Sequence, residues 1–276
     1  MRDYIAPDQR VVVIGAGFIG LEFAATARAK GLEVDVIELA PRVMARAVTA
    51  EISEHFQSRH TAAGIRIHLG VQVTSIESDG SKVTGVSLSD GRHIKADLIV
   101  VGVGVLPNVE LAAEAGLKVA AGIVVDEYLL TSDPDISAIG DCALYESPRF
   151  GGSLRLESVQ NATDQGRRVA DALVDGSVGA AEVPWFWSTQ GPLRLQIAGL
   201  GRPDDDAVVS GDVAGGRFSV FCFRDEQLVA VESLNRPADH LAARRVLASG
   251  AHPTPEQVTD PRFSLKDHAK QFAVAS

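Results

Sequence analysis

Apolar positions form unbroken runs at residues 11–14 and 98–101, and alternate with polar ones over residues 71–88 and along much of the last hundred residues. Val11-Val12-Val13-Ile14 is uninterrupted, the pattern of a strand covered on both faces. Residues 18–30 then have helical character, and a second apolar run covers 33–39. After a loop with Pro41, residues 50–63 read as a helix that Gly64 can end in the left-handed conformation. Residues 65–69 read as a strand. Residues 71–77 and 82–88 alternate around Asp79-Gly80, a hairpin signal, and Asp90-Gly91 is a second turn of that kind. Residues 96–101, apolar except for Asp97, predict a buried central strand.

Further along, residues 111–115 predict a short helix and 123–125 a strand. A short strand is expected to end at Gly140-Asp141, and residues 158–174 form a good helical pattern with Asn161, Asp164 and Gln165 near its start. A change of composition over 176–184 marks a linker. Beyond it, residues 193–200, 207–211, 217–223 and 228–233 read as antiparallel strands, with a turn at Asp225-Glu226. Residues 237–248 read as a helix that starts with Pro and stops before Gly250. The expected architecture is α/β: a parallel sheet carrying an antiparallel meander, then a C-terminal α+β part with an antiparallel sheet.

Composition narrows the function. A chain of 276 residues, 46% apolar, can build two or more cores. A net charge of −10 argues against nucleic acid as the main partner. Cys142 and Cys222 suggest neither a disulfide framework nor a metal site, and a reducing cytoplasm fits them. No signal peptide is read ahead of the first strand, and no apolar run is long enough to span a bilayer. His55, His60, His68, His93, His240, His252 and His268 lack ligand spacing and read as solvated or structural.

The chemistry concentrates at Gly15-Ala16-Gly17-Phe18-Ile19-Gly20, between the first strand and the first helix. In a dinucleotide fingerprint the first glycine permits the turn, the second admits a pyrophosphate, and the third packs helix on strand. The amides at the helix start then hold the phosphates. Glu38, at the end of the next strand, can accept the adenosine ribose hydroxyls and repel a 2′-phosphate, which favours NADH over NADPH. A glycine-rich turn in some other α/β protein is the bland alternative. Gly102-Val103-Gly104 follows a strand and either lines a bound ring or is a plain turn. Asp141 caps a helix or binds a polyol.

With these residues in view, the chain resembles the FAD-dependent, NADH-using ferredoxin reductases, such as those serving aromatic-ring dioxygenases. The matching stretches are VIGAGFIGLEFAA (13–25), GVGVLPN (102–108), TSDPDISAIGDCA (131–143), ESVQNATDQG (157–166) and PWFWS (184–188). The resemblance implies a Rossmann-like NAD-binding domain over 1–105, the C-terminal portion of an FAD-binding domain over 106–180, and a C-terminal reductase domain over 181–276. It implies that Gly15, Gly17, Phe18, Ile19, Gly20 and Glu38 bind NADH, with Glu22 near the nicotinamide amide and Gly102 and Gly104 lining that site. Asp141 would bind the ribityl chain of FAD. The helix after Glu157-Ser158-Val159 would aim its amino end at the flavin. Trp185 and Trp187 would lie near the flavin or the partner's docking surface, or pack between domains. No residue is assigned acid–base catalysis.

The resemblance also implies electron transfer from NADH through FAD to a ferredoxin-type [2Fe–2S] protein serving an oxygenase. Arg194, Arg244, Arg245, Arg262 and the pair Arg167-Arg168 are candidates for a basic docking patch, or are solvated faces. Relatives carry an earlier glycine fingerprint for FAD, whereas Met1 here lies fourteen residues before Gly15. The chain therefore reads as the C-terminal two-thirds of a reductase, with apolar FAD-domain surface exposed and available for self-association. The alternatives are an NADH oxidase, nitrite reductase subunit or monodehydroascorbate reductase, and a catalytically silent NADH-binding module.

Overall fold

The computed structural model describes residues 8–147, 150–176, 179 and 181–272. Four parallel strands form the first sheet, in the order β3-β2-β1-β7. They are β1 (Arg10–Ile14), β2 (Glu33–Glu38), β3 (Arg66–Leu69) and β7 (Leu98–Val101). Helix α1 (Phe18–Ala29) joins β1 to β2, and α2 (Ala50–Ala62) leads into β3. Gly64 takes φ +88° just past α2, as its position suggests. The meander β4 (Val73–Ser78), β5 (Val83–Leu88) and β6 (His93–Lys95) turns at Gly80 and Gly91, both at positive φ. Its Val86 and Leu88 pack on Val12 and Ile37 of the parallel sheet.

Strand β7 is not central: among the described residues it pairs with β1 alone and ends the sheet. Its apolar run has another cause. Leu98 and Val100 pack into one core and Ile99 into the other, so both faces are covered although one edge is open.

Next come α3 (Glu110–Glu114) and a small sheet of β8 (Ile123–Val125), β9 (Ala143–Glu146) and β10 (Ser153–Leu154). The strand expected to end at Gly140-Asp141 instead begins after it. Gly140 has φ +76°, which closes Gly140–Cys142 into a 3-10 turn, and β9 follows. Helix α4 (Val159–Asp175) starts at its cap Ser158, whose Oγ accepts the Asn161 N–H at 3.1 Å, and stops at Gly176 in the left-handed region. The linker at 176–184 lies partly outside the described residues.

The C-terminal sheet has the order β11-β12-β15-β14-β13 and is antiparallel throughout. Its strands are β11 (Trp185–Gln190), β12 (Leu193–Gly199), β13 (Asp206–Asp212), β14 (Arg217–Arg224) and β15 (Gln227–Leu234). Strand β11 was not anticipated. Helices α5 (Pro237–Ser249), α6 (Pro255–Thr259) and α7 (Leu265–Phe272) follow. Alternation along the strands serves two faces. Phe221, Phe223 and Val231 meet Ala243, Val246 and Leu247 of α5. Leu195, Ile197, Phe218, Val220 and Leu234 face the other way and join Leu21, Ile52 and Phe56 in one continuous core. The parallel unit and the C-terminal sheet therefore bury their apolar surface against each other.

Candidate functional site: a glycine turn, a second helix start and the strand between them

The three glycines of the first turn have separate reasons. Gly15 has φ +102°, and a Cβ there would lie 2.3 Å from the Gly102 carbonyl oxygen. A Cβ on Gly20 would lie 2.1 Å from the Gly15 carbonyl oxygen. Both positions are dictated by backbone packing. Gly17 is different: a Cβ there would meet nothing within 4 Å. It is the N-cap residue of α1, no side chain caps that helix, and its first turn holds no acid. Open space at an uncapped helix start fits a pyrophosphate. Phe18 and Ile19 supply amides of that first turn. The Phe18 ring packs on Phe186 of β11, with centroids 4.6 Å apart, and the Ile19 side chain is exposed.

Glu38 closes the turn from the next strand. Its Oε2 accepts the Ala16 N–H at 2.7 Å and its Oε1 the Ala40 N–H at 2.8 Å. The carboxylate thus ties the glycine turn to the loop after β2. Gly102 lies against Gly15, and Gly104 has φ +106° with open space around it. The structure brings Gly15, Gly17, Gly20, Glu38 and Gly102 into one place.

The second group sits around the start of α4. The Gly140 N–H donates to Gln165 Oε1 at 2.7 Å, which fixes the Asp141 turn to that helix. Arg155 Nη1 donates to the Asp141 carbonyl at 3.0 Å and to Glu157 Oε1 at 2.6 Å. Asp141 and Val159 are exposed, and the first turn of α4 holds no acid. An exposed carboxylate beside a helix start that carries no acid fits a ribityl hydroxyl chain and an electron-rich ring edge. Here Glu157 pairs with Arg155, and Ser158 is the helix cap.

Strand β11 touches both α1 and α4 and lies between the two groups. Trp185 is half-buried, with the Arg244 guanidinium 4.7 Å from its ring centre and His240 and Trp187 rings at 5.4 and 5.5 Å. Trp187 is 41% exposed. Of the candidate docking cations, Arg244 pairs with Glu182, Arg262 with Asp260 and Arg167 with Asp164, and Arg168 holds the carbonyls of Glu127 and Gly179.

Sequence reasoning missed what Glu22 meets. Its Oε1 accepts the Ser188 hydroxyl at 2.7 Å and the Thr189 N–H at 3.2 Å. Ser188 Oγ accepts from Gln190 Nε2 at 3.1 Å, and Gln190 Oε1 is 2.6 Å from His60 Nε2. Burial holds the His60 imidazole below its usual pKa, against the hydrogen bond to Gln190. The available signal was polar residues at alternate positions, Ser188 and Gln190, facing inward from an aromatic strand.

A glycine turn closed by an acid, with a second helix start across a shared strand, is the arrangement of a dinucleotide-binding α/β protein. The chain belongs to the pyridine nucleotide-disulphide oxidoreductase family, which matches residues 2–166, and within it to the ferredoxin reductases; a reductase C-terminal family matches residues 185–269. Members of this family are FAD- and NAD(H)-dependent. The chain is 52% identical to rhodocoxin reductase of Rhodococcus erythropolis, over 93% of this chain and 60% of that one. It is 39% identical to putidaredoxin reductase of Pseudomonas putida, over 97% of this chain and 64% of that one. Among solved structures it resembles the ferredoxin reductase for the CYP199A2 system of Rhodopseudomonas palustris, with TM-score 0.91 and 61% identity over 95% of this chain and 65% of that one. It also resembles the reductase in the covalent putidaredoxin reductase–putidaredoxin complex, with TM-score 0.93 and 38% identity over all of this chain and 66% of that one. The chain thus spans about three fifths to two thirds of the length of these relatives. No helix among the described residues is long and apolar enough to cross a membrane.

Proposed function

We propose that this chain carries the NADH site and the flavin-edge half of an FAD site in a reductase that passes electrons from NADH to a ferredoxin-type [2Fe–2S] protein serving an oxygenase. The observation that carries this reading is the empty surround of Gly17 at the uncapped start of α1, beside Glu38. The relatives' names, rhodocoxin and putidaredoxin reductase, support the partner class. The division into 1–105, 106–180 and 181–276 assigns one part to each task.

The backbone amides of Gly17, Phe18, Ile19 and Gly20 bind the pyrophosphate, and Glu38 receives the ribose hydroxyls. Glu22, with Gly102 and Gly104 alongside, orients the nicotinamide amide. Asp141 holds a polyol hydroxyl, and the amino end of α4 places partial positive charge at the flavin edge. Bound FAD supplies the two-electron to one-electron conversion that a ferredoxin acceptor requires. Trp187, half-exposed on β11, borders the face a partner would approach.

Absorbance spectra of the purified chain, taken before and after adding FAD and then NADH, test the reading. Flavin bands that shift on binding and bleach with NADH are the expected result. A folded chain that binds NADH and leaves FAD free in solution would support the silent NADH-binding module instead.

A further inference from the structure

The contact between Glu22 and Ser188 crosses from the glycine-turn helix to the C-terminal sheet, and it does not stop there. Gln190 Oε1 can only accept, so His60 carries its proton on Nε2 and donates. Gln190 Nε2 donates to Ser188 Oγ, and Ser188 in turn spends its single proton on Glu22 Oε1. Every donor in the series points toward the Glu22 carboxylate. The supports are buried: Ser188 is 0%, Gln190 1% and His60 4% exposed. Gln190 Nε2 also lies 3.6 Å from Met44 Sδ, and the Met44 N–H donates to the Ala16 carbonyl in the glycine turn at 2.9 Å. The series therefore starts on α2, passes through β11 and ends on α1, with a side branch to the glycine turn.

Both bonds to Glu22 fall on Oε1. Its Oε2 has no hydrogen bond to a described residue and is free to accept from a ligand amide. A carboxylate fixed through one oxygen and open at the other can present a single acceptor in one direction.

We infer that Ser188, backed by Gln190 and His60, is a positioning residue for Glu22, so that the C-terminal domain sets the nicotinamide end of the NADH site. The inference rests on the reading that Glu22 faces the nicotinamide amide. Its consequence is specific. The adenosine end is held by Gly17 and Glu38, which Ser188 does not touch; the series reaches that end only through the Met44 branch from Gln190. Losing Ser188 should weaken ligands that carry nicotinamide and spare those that lack it.

The experiment is calorimetric titration of the full chain with NADH and with ADP-ribose. Wild-type protein should bind NADH more tightly than ADP-ribose. Ser188→Ala should weaken NADH binding about tenfold, the loss expected for a hydrogen bond to a charged group, and change ADP-ribose binding less than about twofold. Gln190→Met removes the donor to Ser188 without touching Glu22, and gives an independent variant with a smaller shift in the same direction. In a Glu22→Gln background, Ser188→Ala should have no further effect on NADH, because the two act through one group. Equal weakening of both ligands, or an unchanged ratio in both variants, would overturn the positioning role. Equal affinity of the wild-type chain for the two ligands would overturn it too, by removing Glu22 from the nicotinamide. A folded chain that binds neither ligand would sink the NADH site itself, a failure separable from all of these.

Discussion

Glu232 on β15 holds Thr49, the N-cap residue of α2, across the contact between the two sheets. The Thr49 N–H lies 3.1 Å from both carboxylate oxygens, and its hydroxyl donates to Oε2 at 2.6 Å. Glu232 is 3% exposed and sits between Ile197 and Val220 on the neighbouring strands. Burial raises its pKa to about 7; the bonds from Thr49 and the charge of Arg42 oppose the rise, and the charge of Glu51 adds to it.

Stability should therefore depend on pH in a defined direction. Between the ordinary value of 4.5 and about 7, the folded chain holds a proton on Glu232 that the unfolded chain has released. Unfolding free energy from this group is full below that window and falls as pH rises through it, by about 3 kcal/mol in all. Glu232→Gln, which keeps an acceptor for Thr49, should flatten this slope and be the more stable protein at about pH 8. Urea unfolding of both proteins at about pH 5 and about pH 8 checks it; parallel slopes would refute the assignment.

Alanine at Gly15 and at Gly17 should fail in different ways. Gly15→Ala forces a Cβ against the Gly102 carbonyl at positive φ and should cost roughly 3 kcal/mol or more of stability. Gly17→Ala meets open space at an ordinary φ of −76°, so the fold should lose less than about 1 kcal/mol. Its methyl group would occupy the pyrophosphate seat, and NADH affinity should fall at least about tenfold. Thermal melts paired with NADH titration separate the two outcomes.

Glu38→Ala should weaken NADH binding about tenfold without gaining NADPH. The substitution releases the amides of Ala16 and Ala40, which loosens the turn. Arg42, the nearest cation in sequence after β2, is already committed to the carbonyls of Ala45 and Val48 at 2.7 and 2.8 Å. Affinities for both nucleotides, measured on the same preparation, decide the matter; a switch to NADPH would show that Arg42 is free to move.

Exposed apolar side chains mark the middle of the chain, and self-association should follow from them. Leu106 is 91% exposed, Leu111 83%, and Leu173 and Val174 82% each. Replacing Leu106 and Leu173 with Lys should shift the chain toward monomer in sedimentation velocity while leaving the melting temperature unchanged. Unaltered association would place the contact elsewhere.

Much of the fold was legible because its signals are local. Gly64, Gly80, Gly91 and Gly250 all take positive φ at the turns and helix ends where they were expected. The glycine fingerprint and Glu38 lie within one strand–helix–strand unit, so their spacing alone brings them together. Strand β7 was misplaced because an apolar run reports coverage of both faces and says nothing about the hydrogen-bonding edge. Strand β11 was missed because its aromatic residues Trp185, Phe186 and Trp187 are only half-buried or exposed while the polar Ser188 and Gln190 are buried, the reverse of the usual pattern.

What the amino-acid sequence determined by itself is the dinucleotide turn, its acid and the helix starts, because each is set by backbone preferences inside a short window. What only the tertiary structure decided is the partner of each buried polar group. Glu22 and Ser188 are 166 residues apart, and Thr49 and Glu232 are 183. No local propensity links such pairs. They meet because the alternating face of the C-terminal sheet buries its apolar residues against α1 and α2, and the polar groups caught in that contact must find donors and acceptors there.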